Sequence, residues 1–207
     1  MGLLSNIGLI GKNARTAEVF ESLFENKTFF DIKYKTPSDY VNLYWNKFKK
    51  LNLTNLNGEM FEVILRTLFV REKFLPMYIQ AKVAFVPNVN YDSLFYCKEC
   101  GPISISMKTS LRERYKQADL EAIALKYVHR KAKCFLLTLE EKEAQSVKDK
   151  IKSGEVIGLD KVIVCSKPEF NSFIRELKKL SLTEAGTIEI IKCNQIITEH
   201  SISTANQ

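Results

Sequence analysis

The chain reads as one α/β domain in which a mixed sheet is flanked by helices. Three observations predict this. The 207 residues are 45% hydrophobic and 11% aromatic, enough apolar material for a single substantial core. The apolar spacing changes from a period near 3.6 to a period of 2 after residue 74. Beyond residue 113, strand-like and helix-like segments alternate, and a mixed sheet covered by helices is the layered solution for such a string.

Taken in order, residues 14–26 (Ala14 to Asn26) predict a short helix with Val19, Phe20, Leu23 and Phe24 at helical spacing. Pro37-Ser38-Asp39-Tyr40 reads as a turn into a second helix, and Asn55-Leu56-Asn57-Gly58 ends that pattern. Residues 59–74 resume as an amphipathic helix burying Phe61, Ile64, Leu65, Leu68 and Phe69. Strands follow over Tyr78–Phe85, Asp92–Cys97 and Pro102–Lys108, the last two joined by a hairpin-sized loop, Lys98 to Gly101. A helix is expected over 113–130, a strand over Cys134–Leu139 and a charged helix over Glu140–Lys152. A strand over Lys161–Ser166 leads to a helix over Pro168–Leu180 with the proline in its first turn. A short strand over Thr187–Cys193 and a frayed tail from His200 close the chain.

Composition narrows the function. No apolar run approaches the ~20 residues of a membrane span, so no membrane association is expected. Met1-Gly2-Leu3-Leu4-Ser5-Asn6 has no basic flank for a secretory leader, and Asn6 breaks the myristoylation pattern. Five cysteines, several in apolar runs, suggest buried free thiols in a reducing cytoplasm. A net charge of +7 suits a polyanionic partner. The excess is concentrated in 108–133, with eight Lys/Arg against three acids.

The chemistry sits between Asp92 and Glu121. Asp92 opens one strand of the hairpin and Lys108 ends the next, so the pairing brings an acid and a lysine together. That is the minimal unit of a metal-dependent phosphodiesterase. A carboxylate holds Mg²⁺, and an ammonium orients water or stabilises developing charge. A second acid is needed, yet the position two before the lysine is Ser106. Glu121 is the nearest replacement, on a largely apolar helix where an unpaired acid is costly; Asp119 is its rival. Glu62, on the 59–74 helix, is a further candidate for the same site.

Asp92, the hairpin, Ser106-Met107-Lys108 and the helix acid Glu121 resemble the PD-(D/E)XK nuclease superfamily. The run Lys108-Thr109-Ser110-Leu111-Arg112-Glu113-Arg114-Tyr115-Lys116-Gln117, followed by Glu121, resembles the EcoRII-like and NgoMIV-like branch of type II restriction endonucleases. In that branch the second acid has migrated to the following helix. Tyr91 stands where the usual pattern has proline. The resemblance implies a restriction-endonuclease-like αβββαβ core in an α/β fold. It divides the single nuclease domain into a helical extension (1–57), a catalytic core (58–180), and a C-terminal strand and tail (181–207). It further implies catalytic Asp92, Lys108 and Glu121, with Asp92 and Glu121 binding Mg²⁺; Glu62 joins the catalytic set from its own place on the 59–74 helix. Arg112, Glu113, Arg114 and Lys116 would contact DNA, reading C:G pairs through Arg forks on guanine and Glu on cytosine. A cytoplasmic homodimer cutting double-stranded DNA at a specific sequence is the expected function. Such a site requires Thr109 to Arg114 to form a loop or first turn, because a straight helix from Ser110 would carry Glu121 ~16 Å away.

Two rivals stand beside this reading: a structure-specific or repair nuclease of the same fold, and a non-catalytic DNA-binding module. Other motifs are incomplete. Gly8 to Asn13 lacks the Ser/Thr of a P-loop, and Asp31-Ile32-Lys33 lacks a partner hairpin. Cys97-Lys98-Glu99-Cys100 is half a zinc site at most, and His129 and His200 are too scattered for a histidine hydrolase.

Overall fold

A computed structural model describes residues 2–11, 15–185 and 191–205. The N-terminal helices are α1 (Leu3–Asn6), α2 (Arg15–Ser22) and α3 (Pro37–Lys49). Thr36 and Asp39 start α3 with a reciprocal capping box, and Pro37 sits at its first position. After a single 3₁₀ turn over Thr54–Leu56 comes α4 (Asn57–Arg71). This helix is buried almost all round, with Met60, Phe61, Val63, Ile64, Leu65 and Leu68 fully enclosed. It is therefore a central pillar between the N-terminal helices and the sheet, beyond what a single amphipathic face predicts.

The remaining elements are β1 (Met77–Val83), β2 (Tyr91–Cys97), β3 (Gly101–Met107), α5 (Arg114–Val128), β4 (Lys133–Thr138), α6 (Glu141–Ser153), β5 (Lys161–Val164), α7 (Pro168–Leu177), β6 (Ile191–Lys192), β7 (Gln195–Ile197) and α8 (Glu199–Ala205). The seven-stranded sheet has the order β5-β4-β3-β2-β1-β6, with β7 also on β1. The β1–β2–β3 meander is antiparallel, whereas β4 and β5 add in parallel through helical crossovers. Side-chain alternation sorts the sheet into two core layers. Ile103, Ile105 and Met107 of β3 pack with α4 and α7 on one face. Leu94, Leu136 and Val162 pack with Ala118, Ala122 and Leu125 of α5 on the other.

Several expected boundaries move for local reasons. Helix α2 stops at Ser22, ahead of a left-handed Asn26, and Ala14 lies outside the described residues. Strand β1 ends at Val83 because Phe85 is left-handed. Helix α7 ends at Leu177 rather than Leu180. Of the strand expected over Thr187–Cys193, residues 187–190 lie outside the described residues and Ile191–Lys192 form β6. Of the tail expected to fray from His200, residues 200–205 instead belong to α8, entered by reciprocal hydrogen bonds between Thr198 and Ser201, and 206–207 lie outside the described residues. Cys97 and Cys100 are also corrected. Their Cα atoms lie 5.7 Å apart across the β2–β3 turn and the pair is disulfide-bonded, while Cys134 and Cys165 are buried thiols. Among the described residues no helix is long and apolar enough to cross a membrane.

Asp119 belongs to this framework. Its Oδ1 accepts from the backbone N–H groups of Gly158 (2.6 Å) and Leu159 (3.0 Å), pinning the α6–β5 loop to α5. Gly158 lies so close that a Cβ there would sit 2.4 Å from the Asp119 carbonyl oxygen and 2.8 Å from the Ile123 nitrogen. Gly158→Ala should therefore lower unfolding stability by about 2 kcal/mol in a denaturant titration. An unchanged midpoint would contradict the close approach.

Candidate active site

The antiparallel meander brings the end of β1, the start of β2 and the end of β3 to one edge of the molecule. Ser93 pairs with Ile105, so extending the register by one residue sets Asp92 opposite Ser106, with Lys108 just beyond the strand end. The Asp92 Oδ2 accepts from Lys108 Nζ at 2.7 Å and from the Met107 backbone N–H at 2.9 Å. Both side chains are mostly enclosed, 14% and 16% exposed, so the pair feels a lower dielectric than a surface ion pair. Lys108 is itself held through its N–H to the Leu137 carbonyl of β4.

Residues 108–113 form a loop, and α5 begins only at Arg114. Glu143 of α6 holds that loop from behind, accepting from the Leu111 N–H at 2.5 Å and from the Arg112 N–H and Ser110 hydroxyl at 3.4 Å. Buried Leu111 anchors it in the core. Helix α5 then crosses back over the sheet, and the Tyr91 hydroxyl donates to the Glu121 backbone carbonyl at 3.0 Å. Tyr91, immediately before Asp92, thus ties the start of β2 to the turn of α5 that carries Glu121. The sequence gives no hint of that role, since the contact joins residues thirty apart on different elements.

The acids share one electrostatic field. Burial pushes the Glu121 carboxyl above its ordinary value. The Gln117 amide, donating at 2.7 Å, and Lys108 oppose the rise, and Asp92 adds to it. Burial likewise raises Glu62, offset by Arg66 and raised further by Asp92. Arg66 went unrecognised in the sequence, though Glu62-x-x-x-Arg66 at i,i+4 on an otherwise apolar helix was its signal. It pairs with Glu62 at 2.6 Å, donates to the Asp92 backbone carbonyl at 3.1 Å and reaches the Leu9 carbonyl at 3.4 Å. Its guanidinium therefore fixes α4 against β2, and burial lowers its own pKa.

The rival acid Asp119 is committed to the α6–β5 loop, as described above. Glu62 lines a groove of about 830 Å³ together with Asn57 and Glu59 of α4, and Thr109, Ser110, Arg112, Glu113 and Arg114 of the loop opposite. Arg112 is 86% exposed at this groove and 3.9 Å from Glu143. Lys116 is turned onto Glu113 at 2.6 Å, both largely exposed. The groove thus presents polar and charged side chains on both walls, reaching Thr109, the residue after Lys108.

The donor chemistry suits a hard cation. Asp92, Glu121 and Glu62 offer only oxygen, and the Ser106 hydroxyl, opposite Asp92 in the register, is a buried oxygen without a hydrogen-bond partner. Among the described residues no three His, Cys, Asp or Glu side chains gather into a preformed metal cage. The fit is therefore to an ion held by one or two carboxylates with water and phosphate completing its shell, the habit of Mg²⁺.

The neutral-pH cost of Glu121 is measurable. Its folded pKa lies above its unfolded one, so the folded state keeps a proton through that interval and ionisation above it disfavours folding. Glu121→Gln should raise Tm at pH 7 in metal-free buffer. The gain should shrink as pH falls through the raised folded value towards the unfolded one. A Tm difference that ignores pH would contradict this.

No protein-family model and no curated protein matches the chain. Among solved structures, the chain is similar to a complex of the restriction endonuclease PspGI with its substrate DNA, with a TM-score of 0.56 and 17% identity. The match covers 87% of this chain and 85% of that one. The chain therefore has a restriction-endonuclease-like fold.

Proposed function

We propose that this protein is a Mg²⁺-dependent endonuclease of the type II restriction kind, cutting double-stranded DNA at a specific sequence. The observation that carries the reading is the Asp92–Lys108 contact at the mouth of the β2–β3 hairpin, with Glu121 and Glu62 in the same field. The similar fold of an enzyme solved with its substrate DNA supports it. Ser106 at the usual position of the second acid, with Glu121 on the following helix, favours the EcoRII-like and NgoMIV-like branch.

Asp92 and Glu121 would hold the metal. When bound there, Mg²⁺ supplies Lewis acidity to the phosphate and lowers the pKa of a coordinated water. Lys108 orients the attacking water and stabilises the negative charge that builds on the phosphate oxygens. Its short contact with Asp92 keeps the ammonium aimed at the carboxylate before substrate arrives, so little reorganisation is left for the reaction. Glu62, fixed by Arg66, supplies a further acid at the groove wall. The Arg112-Glu113-Arg114 run, buttressed by Glu143, reads C:G pairs: Arg donates a fork to guanine O6 and N7, and Glu accepts from cytosine N4. Lys116 adds a phosphate contact. Duplex cleavage takes two such sites, and a homodimer on a two-fold target supplies them.

The test is incubation of plasmid DNA with the purified protein and Mg²⁺. Discrete fragments of fixed pattern are expected, lost on chelation and reduced about 10³-fold by Lys108→Ala, while duplex binding in EDTA persists. Cleavage confined to junctions or ends would point to a structure-specific nuclease. Binding without cleavage under any divalent ion would make the chain a DNA-binding module.

A further inference from the structure

The hairpin joining β1 and β2 carries two features that cost stability and serve no packing purpose. Phe85 is 86% exposed, and its φ of +65° is a left-handed conformation that an aromatic residue rarely adopts. The loop around it is firmly anchored. Val86 and Val89 are buried in the α5-side core, and the Val86 N–H donates to the Val83 carbonyl at 3.1 Å. Phe85 is thus presented by a held backbone.

The place of this tip is set by register. Ala81 pairs with Tyr91, so Gln80 stands opposite Asp92, and Phe85 lies five residues further along. At ~3.3 Å per residue the tip projects no more than about 16 Å beyond the Asp92 carboxylate, on the substrate side of the sheet. Strand order puts β1 on one side of β2 and β3 on the other. The base-reading loop leaves from β3. A phosphodiester backbone lying over Asp92 and Lys108 separates the two grooves of a duplex, so a β3 loop in the major groove leaves the β1–β2 tip facing the minor groove. The other exposed side chains of the hairpin are Lys82, Pro87, Asn88 and Asn90. Lysine and asparagine around an apolar wedge is the composition with which proteins grip a minor groove.

We infer that the β1–β2 hairpin is a minor-groove finger for duplex DNA, with Phe85 inserting against a base step beside the scissile phosphate. This rests on the nuclease reading and adds a second contact surface to it. Phe85 is a positioning residue: it bends the duplex so that the phosphate meets Asp92 and Lys108.

The experiment compares the full-length protein with Phe85→Ala and Phe85→Trp in EDTA. It uses short end-labelled duplexes cut from plasmid fragments that the wild type cleaves, and it reads binding by anisotropy and bending by energy transfer between the ends. Phe85→Ala should bind about tenfold more weakly, the loss expected for one stacking aromatic, and leave the DNA straighter. Phe85→Trp should keep both affinity and bend, with tryptophan emission quenched on binding. If Phe85→Ala binds and bends DNA as the wild type does, the finger is wrong while the nuclease reading stands. If the wild type neither binds nor cleaves duplex DNA, the nuclease reading falls and takes the finger with it.

Discussion

The Asp92 carboxylate is held from two directions, by the backbone N–H of Met107, the last residue of the neighbouring strand, and by the ammonium of Lys108 that follows it. Met107 is the last residue of β3 and Lys108 the first beyond it, so the carboxylate's position follows from the pairing of β2 with β3. A slip of one residue in the β2–β3 register would turn Asp92 to the opposite face and separate it from Lys108. Burial of both side chains then makes the pair expensive to break, because removing either partner leaves an uncompensated charge in a poorly solvated site. The sheet, the tight hairpin and the helices that cover it all serve to keep that register.

The surrounding charges are arranged around the same constraint. Glu62 and Glu121 approach from opposite faces of the sheet, one on α4 and one on α5, and burial raises both carboxyls. Glu62 has a private counter-charge in Arg66, which also grips the Asp92 carbonyl. Glu121 has only the neutral Gln117 amide as a direct partner among the described residues, with the Tyr91 hydroxyl fixing its backbone. Among the described residues Glu121 is thus an acid without a cationic partner of its own, in a field that contains both Asp92 and Lys108. Titratable groups whose environments differ in this way are the usual raw material of hydrolytic sites.

Much of this was legible in the sequence. The change of period near residue 74 and the alternation beyond residue 113 give the element order, because burial on two sheet faces imposes those periods directly. Asp92 and Lys108 follow from hairpin spacing alone. The loop expected ahead of α5 is present over residues 108–113 because Glu143, 32 residues beyond Leu111, satisfies its backbone N–H groups, and no local pattern announces that partner. Asp119 and Glu121 are two residues apart and equally acidic. Only the tertiary position of Gly158 separates them, committing Asp119 to a backbone clasp. Arg66 and Tyr91 were missed for the same reason: their roles are contacts across elements. The frayed tail and the free thiols at Cys97 and Cys100 were misread because a serine–threonine cap and a three-residue turn are settled by neighbouring backbone geometry, which composition does not report.

The claim on which the account depends is that carboxylates from β2 and α5 jointly hold one divalent ion. Mn²⁺ binding to the protein on a duplex with non-hydrolysable linkages, followed by electron paramagnetic resonance, tests it most directly. The account predicts that the bound Mn²⁺ signal is lost in both Asp92→Asn and Glu121→Gln while the duplex stays bound. Retention of the signal in Glu121→Gln, with affinity unchanged, would contradict it.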